Sequence, residues 1–394
     1  MGKLTRRFGA AFAAAAIAIT GLAGAANAAT SPYPDHDDYK WYGPDKLVTV
    51  DGNDKVYRAA GRDRVETAIQ LMCHATDHAW KGVIIARSDD FADALTSGPL
   101  ADVTNYALLV MPSGQVDARV MSAIANGCNS YRNEDTNIQN VVLIGGTGVW
   151  SEGQRAAIKT ATGKDVWRVS GIDRYDTSIA IARAVSLYTC LGDLANWWGT
   201  DYPPAFHTCK WNMNAYVATG QDFPDALAAG AAAAANDGVV LLTDGSKMDQ
   251  RDRTVKFLDN ELEWMPANFF NHVEIHSVGG WADTALRSAD IRVDFKHVGK
   301  NRYETAVLLA RAYSQAEKSY TIASGENYPD GVVAGAFAAN HDGPLLLSNN
   351  ASLTPVTRDY LRAESDLHAR VMVVGGDGTI TRQVSQDVWD ALHY

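Results

Sequence analysis

Beyond its first residues the chain lacks any apolar run long enough to cross a bilayer: the most alanine-rich stretch, Ala228 to Ala235, is short and broken by Gly230. It also lacks the patterns that mark common catalytic centres. There is no Gly-x-Ser-x-Gly nucleophile turn, no His-Glu-x-x-His zinc helix and no Cys-x-x-Cys pair. Positive charge is scarce, with 35 Lys and Arg against 46 Asp and Glu for a formal net charge of −11. That balance excludes nucleic-acid binding by bulk electrostatics. It also repels an anionic polymer at long range, so attachment to one needs local cationic pockets or bridging metal ions.

Only four cysteines occur, Cys73, Cys128, Cys190 and Cys209. The chain begins with Lys3, Arg6 and Arg7, an Ala/Ile-rich stretch through Leu22, and the small triplet Ala26-Asn27-Ala28, which reads as an export leader over 1–28. Loss of its three basic residues takes the formal charge to −14. In an exported chain disulfides persist. Of the three possible pairings, Cys73–Cys128 and Cys190–Cys209 are favoured because each couple falls within one repeat or segment.

What the chain does have is a phrase that occurs three times: Gly61-Arg62-Asp63-Arg64-Val65-Glu66-Thr67, Gly171-Ile172-Asp173-Arg174-Tyr175-Asp176-Thr177 and Gly299-Lys300-Asn301-Arg302-Tyr303-Glu304-Thr305. A second phrase follows each time: Asp90-Phe91-Ala92-Asp93-Ala94-Leu95, Asp222-Phe223-Pro224-Asp225-Ala226-Leu227 and the looser Asn327-Tyr328-Pro329-Asp330-Gly331-Val332. A third marker closes each copy, Gly145-Gly146, Gly279-Gly280 and Gly375-Gly376, each after an apolar run. Three markers in one order define a tandem array. A site repeated three times argues for multivalent binding over a single catalytic centre.

Within one copy, continuous apolar runs alternate with helical patterns. Gly82 to Ala86, Ala107 to Met111, Val141 to Ile144 and Val166 to Val169 read as buried strands. Thr67 to Met72, a segment beginning at Asp90 and reaching Leu100, Val116 to Ala125 and Ser151 to Thr160 read as helices. The strands recur at Tyr216 to Ala218, Val239 to Leu242 and Val273 to Val278, and again at Tyr320 to Ala323, Pro344 to Leu347 and Val371 to Val374. Such alternation predicts an α/β fold of doubly wound parallel sheets. All three markers then fall on the carboxyl edge of each sheet, where ligands bind. The expected intervals are an irregular segment over 29–55, then repeats over 56–165, 166–293 and 294–394.

From Thr67 to Asp93 is 26 residues, from Thr177 to Asp225 is 48, and from Thr305 to Asp330 is 25, so the middle repeat carries an insertion over 188–214. It holds Trp197, Trp198, Tyr202, Phe206 and Trp211. These rings either stack on sugars or fill a small disulfide-closed core.

The combined markers resemble the cell wall-binding repeat 2 family, found in S-layer proteins and autolysins of Gram-positive bacteria. The resemblance covers about residues 56–394. It implies three flavodoxin-like units in a pseudo-threefold arrangement that bind an anionic cell-wall polysaccharide or teichoic-type polymer without a covalent link. It carries ligand binding over to Arg64, Arg174 and Arg302 and to Asp93, Asp225 and Asp330. Val65 in place of the tyrosines, and Asn327, Gly331 and Val332 in the third copy, depart from the pattern.

Other roles stand beside these. An Arg near carboxylates can be a structural salt bridge, and the Asp of Asp-Phe-x-Asp can cap a helix. The Gly-Gly pairs suit a tight strand-to-helix turn, and Gly145-Gly146-Thr147-Gly148 lacks the spacing of a dinucleotide site. No cofactor or metal is expected. Among enzymes, a wall-polymer hydrolase using Asp222 and Asp225 is the alternative, and triple repetition weighs against it.

Overall fold

The computed structural model describes residues 55–74, 80–90, 92–126, 138–191, 214–259, 273–312, 319–364 and 369–393. The leader, the segment over 29–54 and the aromatic residues of the insertion lie outside the described residues. Cys73 is disulfide-bonded. Both expected cysteine pairings involve side chains outside the described set.

The chain enters through β1 (Lys55–Ala59) and α1 (Arg64–His74). Next come β2 (Gly82–Arg87), α2 (Gly98–Thr104), β3 (Tyr106–Met111), α3 (Ala118–Asn126), β4 (Asn140–Ile144), α4 (Glu152–Thr162) and β5 (Asp165–Val169). The middle of the chain holds α5 (Arg174–Leu191), β6 (Asn214–Thr219), α6 (Pro224–Ala235), β7 (Gly238–Thr243), α7 (Arg253–Phe257), β8 (Ile275–Val278), α8 (Gly280–Ser288) and β9 (Phe295–His297). The last stretch holds α9 (Arg302–Arg311), β10 (Ser319–Ser324), α10 (Tyr328–Asn340), β11 (Leu345–Ser348), α11 (Pro355–Glu364), β12 (Arg370–Val374) and α12 (Arg382–Leu392).

The strands form three four-stranded parallel sheets in the orders β3-β2-β4-β5, β7-β6-β8-β9 and β11-β10-β12-β1. Continuous apolar strands bury both faces, as parallel strands covered by helices must: Val83, Ile84, Ile85, Leu241, Leu346 and Val373 are all fully buried. The sheets do not follow the sequence intervals. Each takes its fourth strand from residues just ahead of the next Gly-x-Asp-Arg phrase, so β5 completes the first sheet and β9 the second. The third is closed by β1 from the start of the described chain, paired Lys55 with Arg370 through Ala59 with Val374. The array is therefore a closed ring.

At its centre α2, α6 and α10 each pack against the other two. Small residues make this approach possible: a Cβ on Gly98 would lie 3.0 Å from the backbone of Gly230, and one on Gly335 would lie 3.1 Å from the Leu227 carbonyl oxygen. The alanine run of α6 is thus buried on almost every side because it sits among two sheets and two sister helices. The remaining contacts are cyclic, α5 on α2, α9 on α6 and α1 on α10, which gives the pseudo-threefold relation. Among the described residues no helix is long and apolar enough to cross a membrane.

One helix begins later than the sequence suggests. The expected start at Asp90 is instead a run of turns over 92–96, and α2 begins at Gly98. Pro99 explains the shift, because proline fits only the first turn of a helix, where its missing N–H has no partner to lose.

Candidate functional site

Most of the Gly-x-Asp-Arg phrase is helix-starting machinery. The side chains of Asp63, Asp173 and Asn301 accept from the backbone N–H groups of Glu66, Asp176 and Glu304 at 2.9, 3.0 and 3.0 Å. In return the carboxylates of those three residues accept from the N–H groups of Arg62, Ile172 and Lys300 at 2.9, 3.1 and 2.7 Å. Thr67, Thr177 and Thr305 accept from the N–H groups of Gly61, Gly171 and Gly299. Together these satisfy the free donors of a helix start, as a capping box does. The capping Asp therefore lies in this phrase. The Asp of Asp-Phe-x-Asp does not cap: Phe223 and Asn327 hold the N-cap positions of α6 and α10, with no side-chain cap bond.

The arginine of the phrase is released from that task. Arg64, Arg174 and Arg302 donate Nη1 to the carbonyls of Ser88, Gly220 and Gly325 at 2.5, 2.8 and 2.5 Å, at the carboxyl end of β2, β6 and β10. In Arg174 and Arg302 the second nitrogen turns to the preceding repeat. Arg174 Nη2 is 3.6 Å from Asp90 Oδ2, and Arg302 Nη2 is 4.0 Å from Asp222 Oδ2. Each cluster is thus assembled across a repeat boundary and not from the Arg and carboxylates of one repeat alone. The reason is topological: the phrase follows the fourth strand of one sheet and starts a helix packed on that sheet's central helix.

Asp93, Asp225 and Asp330 lie one layer deeper. Burial is the leading cause that raises all three above the usual carboxylate range. Opposing it, Thr177 donates to Asp93, Thr305 to Asp225 and Thr379 to Asp330, and Arg174, Arg302 and Arg64 act electrostatically on the same three carboxyls. Each carboxyl tucks beneath a Gly-Gly turn. Gly145, Gly279 and Gly375 take φ of 116°, 80° and 127°, and a Cβ there would lie 3.2, 2.1 and 3.0 Å from Asp93, Asp225 and Asp330 Oδ2. Only glycine meets both demands. The turn lies at the switch between the first and third strands of a 2-1-3-4 sheet, the crevice where such folds bind ligands.

The fourth strand braces the same turn. Arg168 donates to the Gly145 and Trp150 carbonyls at 2.8 and 2.6 Å, and Arg58 donates to the Gly375 carbonyl at 3.0 Å and pairs with Asp377 at 3.1 Å. Lys296 holds the equivalent place in the second sheet, where it meets Asp283 at 3.1 Å. These cations recur three residues before each phrase glycine, a signal sequence reading could have used.

The three clusters are not equal. The third has Asn327 where the others have Asp90 and Asp222, and an amide there offers Arg64 no ion pair. Val65 has a physical reason: a Cβ on Gly220 or Gly325 would lie 2.8 Å from the ring of Tyr175 or Tyr303, and the first repeat has Ser88 there and no ring. The second sheet carries a buried His276–His297 contact at 3.1 Å, His276 stacked between Tyr216 and Phe295.

Arg174 and Arg302 expose about a third of their side chains, 31% and 34%. Among the six expected site residues, the arginines therefore face solvent and the aspartates support them from within. Among the described residues no group of three or more His, Cys, Asp or Glu is placed to hold a metal ion.

Comparison with known proteins matches the chain to one family. The model of cell wall binding domain 2 (CWB2) matches residues 58–154, 168–282 and 296–385. The chain is 22% identical over 342 residues to the N-acetylmuramoyl-L-alanine amidase LytC of Bacillus subtilis (strain 168), covering 87% of this chain and 60% of that protein. It is 25% identical over 354 residues to the amidase enhancer of the same organism, covering 88% and 42%. Cwp8 and Cwp6 from Clostridium difficile superpose with TM-scores of 0.64 and 0.66, each at 19% identity, over 86% of this chain and 52% and 48% of theirs. The chain thus spans about half the length of the proteins it matches, and the superpositions establish a shared fold.

Proposed function

Since the chain belongs to the cell wall binding domain 2 family, we propose that it is a secreted, non-catalytic protein that attaches to the bacterial wall by holding an anionic secondary polymer at its inter-repeat clusters. The observation that carries this reading is the threefold recurrence of a solvent-facing guanidinium at the sheet switch point, positioned by a backbone carbonyl in all three clusters and also by a carboxylate of the neighbouring repeat in two. Guanidinium groups pair bidentately with phosphate and carboxylate, and three linked sites raise effective concentration. The chain's overall negative charge supports a short-range mechanism.

The hydrolase alternative fits less well. Two carboxylates that attack a glycosidic bond must flank an open cleft. Asp225 instead lies against Gly279 inside the turn, and Asp222 sits near Arg302. A pull-down of the mature protein on purified Gram-positive walls, before and after removal of secondary polymers, separates the readings. A binder depletes from solution only with intact walls, whereas an enzyme releases soluble fragments.

A further inference from the structure

Repeat 2 departs from its sisters at the carboxyl edge of its sheet. From Gly-Gly to the next phrase glycine, repeat 1 runs 26 residues, Gly145 to Gly171, and repeat 2 runs 20, Gly279 to Gly299. What is missing is the turn that follows Gly-Gly elsewhere, the turn that sends Trp150 and Ile380 into the core with no exposed surface. In repeat 2 the helix α8 starts at Gly280 itself. Trp281 therefore stands in the first helical turn with 53% of its surface exposed, at the place held by polar Thr147 and Asp377 in the other repeats. It alone is exposed among the described tryptophans. Val298, 39% exposed, lies beside it, its Cγ1 3.9 Å from where Gly280 would carry a Cβ.

The same edge of repeat 2 also carries cations in an acidic chain. Lys296 Nζ is 3.1 Å from Asp283 Oδ1 and Arg287 Nη2 is 2.7 Å from Asp283 Oδ2, so two cations share one carboxylate and positive charge is left over. Lys300 is exposed on the loop that leads to Arg302. The edge is continuous with the crevice cluster, because Asp225 lies against Gly279, two residues before Trp281.

We infer that Trp281 is a sugar-stacking subsite for an acidic pyranose unit of the wall polymer, with the ring face on the indole and the anionic substituent directed to the Lys296 and Lys300 edge. This rests on the wall-polymer reading above. An indole exposed to water on an edge that also carries cations suits a ligand that presents an apolar ring face and a negative charge together, and a core role does not account for its exposure.

The test compares the parent, Trp281→Ala and Trp281→Phe on Bacillus subtilis walls, on oligogalacturonate as an acidic-pyranose probe, and on poly(glycerol phosphate), which has the anion and no ring. Trp281→Ala is expected to weaken retention on walls and on oligogalacturonate by about three- to tenfold, Trp281→Phe to retain most of it, and poly(glycerol phosphate) binding to stay at the parent's level. The inference is overturned if Trp281→Ala holds walls as the parent does, if the parent ignores oligogalacturonate, or if poly(glycerol phosphate) is lost equally. It is also overturned if the substitution changes only self-association, read by light scattering. Failure of the parent to bind walls at all sinks the wall-polymer reading and this subsite together.

Discussion

The His276–His297 contact makes the second sheet sensitive to acid in a way that can be worked out. Both rings are almost fully buried, 6% and 7% exposed, and their Nδ1 and Nε2 atoms meet at 3.1 Å, so one ring must donate and the other accept. Burial pushes both down to about 4, with the neighbouring imidazole adding to the effect at His297 and Asp294 opposing it at His276. Glu274 lies 3.6 Å from His276 Nε2 and is itself part-exposed. The sign follows from linkage. The unfolded imidazoles take protons near pH 6.5 and the folded ones near 4, so stability present above about pH 6.5 is lost as pH falls toward 4. Counting one proton for the contacting pair, about 2–3 kcal/mol is lost between pH 7.5 and 4.5. For a chain of this size that is a fall in Tm of about 3–4 °C. The variant His276→Val/His297→Val copies Val142 and Val169 of repeat 1 and removes the titration. Calorimetric melts at both pH values should show the parent losing about 3–4 °C more than the variant. Equal losses would refute the reasoning and place the acid sensitivity elsewhere.

The opposite sign holds at Asp102 on α2, which burial, then the charges of Asp342 and Asp237, raise to about 7. Its neutral form is the stabilising one, so its contribution is present below about pH 4 and lost as pH rises through 7, and Asp102→Asn should stabilise at pH 8 by at most about 4 kcal/mol and change little at pH 4 in urea melts. At the first repeat, Val65→Tyr should destabilise on its own because the ring meets Ser88, while Val65→Tyr/Ser88→Gly should recover, a coupling of about 1–3 kcal/mol in a double-mutant cycle; additive effects would contradict the steric account.

The fold was legible because its strands are continuous apolar runs: β2, β3, β4, β7 and β12 lie within a residue or two of where sequence places them. The helix start at Gly98 was not, since Asp90 satisfies its local turn by accepting from the Ala92 N–H and leaves the chain to pass through turns before Pro99. The site was legible as a set of residues and not as an assembly. Repetition marked Arg174 and Asp93, but only the fourth-strand exchange places them in one cluster, and that pairing involves residues 81 apart in the chain. Ring closure by β1 was invisible for the same reason, because nothing in Lys55 to Ala59 names β12 as its partner. Trp281 escaped notice because it belongs to no recurring phrase. Its meaning comes from a turn that repeat 2 lacks.

The central claim is that the three arginines hold the polymer. Co-sedimentation with intact Gram-positive walls of the parent, of each single Arg→Ala variant at 64, 174 and 302, and of the triple variant measures this most directly, with circular dichroism confirming that each is folded. Multivalent binding predicts a modest loss for each single change and a far larger loss for the triple variant, with retention falling further as salt rises. A folded triple variant that binds walls as the parent does would contradict the account and leave the arginines as struts between repeats.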